Sequence, residues 1–75
     1  MKLENIESLI ECDGQISVGF MHPVGCVAVA NDESNNLAML RQRPGESFMA
    51  LLERLDHAIE RALEYEEFTD EINQP

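Results

Sequence analysis

Tryptophan is absent from this chain of 75 residues, cysteine occurs twice and proline three times, and the only aromatic residues are Phe20, Phe48, Tyr65 and Phe68. A chain this short buries only about 60% of its unfolded surface. Its 44% apolar content therefore serves one small core, which excludes a second domain and a deep pocket around a large cofactor. Basic residues are scarce as well: five Lys plus Arg stand against fifteen Asp plus Glu, a formal net charge of −10. That balance repels phosphate and argues against nucleic acid or an anionic membrane as the main partner. No stretch approaches the roughly 18 apolar residues of a membrane span, and Met1 to Asn5 lacks the apolar core of an export signal. The expectation is a soluble, cytoplasmic chain without membrane attachment. Cys12 and Cys26 are too few for a secreted disulfide scaffold and are read as reduced, buried thiols; a disulfide stays open because both lie near predicted turns.

Apolar spacing supplies the clearest element. Phe48, Leu51, Leu52, Leu55, Ile59, Ala62 and Leu63 fall at i, i+3, i+4, i+7, i+11, i+14 and i+15, the pattern of an amphipathic helix. Arg43-Pro44-Gly45 breaks whatever precedes it, while Glu46 and Ser47 suit a first turn through the helix dipole and capping. With no Gly or Pro before Pro75, the predicted helix covers 46–67. Residues 68–75 form a polar tail, anchored by Phe68 and Ile72, that trails off or folds back.

Residues 14–43 change to period two. Ile16, Val18 and Phe20 alternate with Ser17, Gly19 and Met21, as in a strand with one buried face. His22 to Gly25 makes a turn, Cys26 to Ala30 reads as a central strand, Asn31 to Asn36 as a loop, and Leu37 to Arg41 as one more strand. The opening segment 1–13 is open between helix and strand. Leu3, Ile6 and Ile10 have helical spacing against Glu4, Glu7 and Glu11, yet Asp13-Gly14 is a strong hairpin signal that would pair Leu9 to Cys12 with Gln15 to Val18. The expected fold is α+β: one domain over 1–75, with a small antiparallel sheet of three to four strands in meander order packed by one long C-terminal amphipathic helix.

Charge is distributed unevenly. Residues 46–71 hold nine acids and two bases, Arg54 and Arg61, so a net −7 falls there and −3 on the rest. At about 100° per residue, Glu53, Asp56, Glu60, Glu64 and Glu67 fall within roughly a quarter of the helix circumference. The arginines lie toward the other flank of the apolar face. Like charges at i,i+4, such as Asp56/Glu60 and Glu60/Glu64, cost an isolated helix roughly 0.2 to 0.5 kcal/mol each. These five residues are the candidate contacts for a basic protein partner. The plain alternative is a solvated face whose charge keeps the chain in solution.

Enzyme signals are lacking. There is no glycine-rich phosphate loop, no nucleophile with a base at sensible spacing, and no carboxylate pair set among apolar residues. His22 and His57 read as surface histidines, and Cys12, His22 and Cys26 match no common zinc spacing and lack a fourth ligand. No catalytic residue, metal or cofactor is expected. Arg41, Gln42 and Arg43 make the one basic spot. Were the opening segment helical, the order α-β-β-β-α would resemble a double-stranded RNA-binding domain, but the lysines such a domain places at the start of its last helix are missing. Met21, Met39 and Met49 read as core or as a dimer surface, core being favoured residue by residue, and an edge strand, Leu37 to Arg41 or Ile16 to Met21, offers another route to a homodimer.

Asp13-Gly14-Gln15-Ile16-Ser17-Val18, Pro23-Val24-Gly25-Cys26, and later Ala50-Leu51-Leu52 and Ala58-Ile59 resemble the HicB-type antitoxin domain over about half the chain. The resemblance implies a hairpin at the Asp-Gly, then a helix, and binding to a small basic RNA-cleaving toxin. Two departures stand out: an Asn-rich loop and an extra strand replace the usual Gly-Asp-Thr segment, and no DNA-binding tail follows the helix. No site residue is carried over. The functional expectation is a non-enzymatic acidic protein that occupies the basic surface of a partner, as antitoxins and phage or plasmid inhibitors do; the alternative is a homodimeric structural or accessory protein with an apolar interface.

Overall fold

A computed structural model describes residues 3–73, in the order α1 (Glu4–Glu11), β1 (Gln15–Met21), β2 (Gly25–Asn31), β3 (Asn36–Arg41), α2 (Phe48–Tyr65) and β4 (Thr69–Asp70). The sheet order is β1-β2-β3-β4. The first three strands form the antiparallel meander read from the sequence, and the fourth runs parallel to β3, pairing Thr69 with Ala38 and Asp70 with Met39. The segment after α2 thus folds back for two residues; Gln74 and Pro75 of the expected tail lie outside the described residues. Helix bounds are tighter than the expected 46–67, because Ser47 caps the start with its hydroxyl, accepting from the Ala50 N–H at 3.1 Å, and Glu66 ends it with a left-handed φ of 57°.

The opening segment is a helix. The strand pairing of Leu9–Cys12 with Gln15–Val18 is overturned, because Asp13-Gly14 closes α1 and not a hairpin. The Gly14 N–H donates to the Leu9 carbonyl at 2.8 Å and the Asp13 N–H to the Ile10 carbonyl at 3.2 Å, with Asp13 at φ 66°. These are the bonds of a Schellman C-cap. Gly14 is buried so tightly over Leu9 that a Cβ there would come within 2.9 Å of the Leu9 carbonyl oxygen as well as striking its side chain. At the turn from β3 into α2, Gly45 takes φ 80°.

Register places Ile16, Val18, Cys26, Ala28, Ala30, Ala38 and Leu40 on one sheet face, and these residues join one core with Leu3, Ile6 and Leu9 of the α1 region and Leu51, Leu55, Ala58, Ile59 and Ala62 of α2. Both helices therefore cover the same face. Burying Leu51, Leu55 and Ile59, each fully enclosed, contributes about 1.5 to 3 kcal/mol apiece. Five alanines, Ala28, Ala30, Ala38, Ala58 and Ala62, lie in that core. The buried stripe of α2 is rotated from the expected one: Phe48 and Leu63 are about half exposed, while Ala58 and Asp56 are buried. Met21 and Met49 are exposed and Met39 half-buried, so these three methionines stand outside the core. Cys12 and Cys26 are free, but the expectation of buried thiols is corrected: Cys12 caps α1 beyond its last core residue and is exposed, and Cys26 is half-buried near the hairpin turn.

Short turns are pinned by carboxylates. Asp32 accepts the Ser34 and Asn35 N–H groups between β2 and β3, and these bonds hold its carboxyl below the usual range. Asp70 plays the same part at the end of β4, its pKa lowered by the Asn73 N–H and side-chain amide. The cap at Gly14 yields a direct expectation. Gly14→Ala should lower the stability of the chain by about 1 to 3 kcal/mol, the range for forced overpacking, measured as a reduced midpoint in urea denaturation.

Candidate functional site

The five stripe residues separate in the structure. Glu53, Glu60 and Glu64 are exposed on α2 as the helical spacing requires. Asp56 is not on display: it is 5% exposed. Its two oxygens accept from the Ile6 N–H at 2.8 Å and the Asn5 side-chain amide at 3.0 Å. Helix α1 begins after Leu3, whose side chain offers no cap, and the third N–H of a helix is one that a capping side chain ordinarily satisfies. Asp56 is that cap, reaching from a helix about 50 residues away in sequence, and its negative charge sits at the positive end of the α1 dipole. Glu67 leaves the stripe for a different reason. The left-handed Glu66 ends α2, so Glu67 lies beyond the helix and no longer follows its spacing, although it too is exposed.

Three carboxylates thus remain of the expected row. Around α2, Asp56 lies between the core and this row, and because it touches α1, that helix lies along the same flank. Helix α1 carries Glu4, Glu7 and Glu11 at i, i+3 and i+7, all exposed. Exposed carboxylates are therefore carried by both helices. Sequence reasoning used those three glutamates only to weigh helix against strand; their spacing was the signal for a second acidic row.

Of the two arginines on α2, Arg54 is engaged away from this row, and Arg61 is exposed and outside the ion pairs of the described residues. Arg54 donates through Nε to Glu46 at 2.7 Å, through Nη1 to Glu71 at 2.9 Å and through Nη2 to the Arg41 carbonyl at 2.9 Å. Glu71 also accepts the Arg41 N–H at 3.0 Å and approaches Arg43 at 3.6 Å. One guanidinium thereby joins the loop before α2, the end of β3 and the residue after β4. Among the described residues, the ion pairs leave out Glu53, Glu60 and Glu64. An open depression of about 250 Å³ beside Arg54 is lined by Glu46, Ala50, Glu53, Arg54 and His57; with Glu46 bound to Arg54, Glu53 is its carboxylate left without such a partner. His22 and His57 are both exposed. No cluster of three or more His, Cys, Asp or Glu side chains suited to a metal occurs among the described residues. None of the helices described is long and apolar enough to cross a membrane.

The chain was compared with protein-family models, with curated proteins and with solved structures, and it matches none of them. The resemblance to HicB-type antitoxins rests on its residues alone. The element order α-β-β-β-α is present, yet the first turn of α2, from Phe48 to Leu51, has no lysine or arginine.

Two expectations follow from this division of the acids. Asp56→Ala strands the buried Ile6 N–H and should cost about 1 to 2 kcal/mol, whereas Glu60→Gln should stay within about 0.5 kcal/mol of the parent; thermal unfolding of the two variants separates a structural acid from a displayed one. The Arg54 hydrogen bond holds the Glu46 carboxyl at about 2, below its ordinary 4.5. A carboxyl depressed in the folded state stabilises the fold above its unfolded pKa, and that contribution is lost as pH falls from about 4.5 toward about 2. Acid titration of stability should show the loss in that window, and Arg54→Ala should flatten it.

Proposed function

We propose that the chain is a non-enzymatic acidic binding protein whose helical side occupies the basic surface of a partner protein. The observation that carries this reading is the set Glu53, Glu60 and Glu64, exposed on α2 and outside the ion pairs of the described residues. Glu60 and Glu64 stand at i,i+4 and repel each other in the free chain, so a cationic surface relieves a standing cost as it binds. Glu4, Glu7 and Glu11, exposed on α1, add to the negative potential of the molecule and favour fast encounter with a positive partner. Lysine or arginine side chains of the partner would pair with the row, and the room beside Glu53 and His57 suits the end of one such side chain. Small inhibitors and antitoxins of the HicB type work in this manner on basic nucleases, and the residues quoted for that resemblance favour a partner of that class. The exposed glutamates suit display, while the acids set in structure serve caps, turns and the Arg54 ion pairs.

The test is charge reversal. Glu53→Lys, Glu60→Lys and Glu64→Lys together should weaken capture of a basic partner by about tenfold or more, because three exposed pairs at about 0.5 kcal/mol each are lost and replaced by repulsion. The circular dichroism spectrum should stay that of the parent. Raising ionic strength from low to physiological should weaken the parent's capture steeply. Capture that ignores both salt and the triple substitution refutes the reading.

A further inference from the structure

The two edges of the sheet are built differently. One ends in β4, which is two residues long and bears Asp70, followed by Glu71. Short, charged edge strands discourage further pairing. The other edge is β1, seven residues in unbroken register with β2 from Gln15↔Asn31 to Met21↔Gly25. It has no bulge, no proline and no charged residue, and among the described strands it pairs with β2 alone. Its outer row of backbone donors and acceptors is a ready template for another strand.

Charge identifies what that strand belongs to. From Gly14 to Asn31 there is no Asp, Glu, Lys or Arg, although such residues make up 27% of the chain. The whole formal charge of −10 lies outside this hairpin. A basic partner finds nothing to pair with here, whereas two copies of one acidic chain need a contact free of carboxylates in order to meet. Apolar side chains are available for such a contact: Phe20 is 76% exposed, and Ile16 and Val18, on the same face by alternation, are only half-buried.

We infer that the free edge of β1 pairs antiparallel with β1 of a second copy, joining two four-stranded sheets into one continuous sheet. A two-fold axis at Val18, the middle residue of the strand, sets Val18 opposite itself and Ile16 of each copy opposite Phe20 of the other. Opposed residues in an antiparallel pair point to the same face, so each Phe20 ring covers the other copy's Ile16. The contact is isologous and closed, which leaves no sticky edge for further growth.

Sedimentation of the full chain under reducing conditions, from micromolar to millimolar concentration, tests this. The mass should rise from 8.5 kDa to twice that value, and added salt should strengthen the dimer by screening the two like-charged copies. Amide hydrogens of β1 should gain protection as concentration rises. Ser17→Glu and Phe20→Glu, both at exposed positions, should keep the parent's circular dichroism and weaken association by about tenfold or more. A monomer at every concentration, a dimer that either variant leaves intact, or a dimer without new protection in β1 overturns the inference. Because these substitutions lie outside the helices, capture of a basic partner tests the function separately.

Discussion

A single carboxylate ties the two helices to each other by hydrogen bonds, above the apolar core they share. Helix α1 is eight residues long and begins without a cap of its own, and a helix of that length is marginal by propensity alone. Asp56 supplies the missing acceptor from α2, and in doing so fixes where the two helices touch. Once α1 is docked, Ile6 and Leu9 enter the core and the β1 side of the sheet has a roof. Without that bond, the half-buried Ile16 and Val18 would lose part of their cover. The buried acid is therefore no anomaly in an acidic protein, since both of its oxygens are paired.

Eleven of the fifteen acids fall into two groups. Asp32, Glu46, Asp56, Asp70 and Glu71 accept hydrogen bonds from backbone amides or from Arg54 and so belong to the architecture. Glu4, Glu7, Glu11, Glu53, Glu60 and Glu64 are exposed on the two helices. Arg54 sharpens this division, because a guanidinium engaged with Glu46 and Glu71 is withdrawn from the exposed glutamates. The hub also explains why two residues suffice for β4: Glu71 donates its N–H to the Met39 carbonyl and accepts with its side chain from Arg41 and Arg54.

Most of the architecture was legible in the sequence. Period-two alternation located β1, β2 and β3, and the apolar spacing located α2, because both patterns report burial directly. The errors share a physical origin. Asp-Gly favours a positive φ followed by a small residue, and that chemistry ends a helix as well as it turns a hairpin; only the Leu3, Ile6 and Leu9 side of the segment, meeting α2 in space, decides between them. Asp56 misled because a helical wheel records angle and not neighbours: it falls at the margin of the polar arc, where a second helix happens to lie. Glu67 misled because no Gly or Pro marks the end of α2, the left-handed turn being made by Glu66. The fourth strand had no periodicity to read in two residues.

The alanines beneath α2 set how firmly that helix is seated. Ala58 and Ala62 on the helix, with Ala28, Ala30 and Ala38 on the sheet, have no side-chain torsions to exchange, so this part of the core offers the rod no alternative rotamer packing into which it can slide. Whatever the glutamates on its far side meet, the backbone that carries them is already preorganised, and the entropy lost on contact is confined to the tips of the side chains.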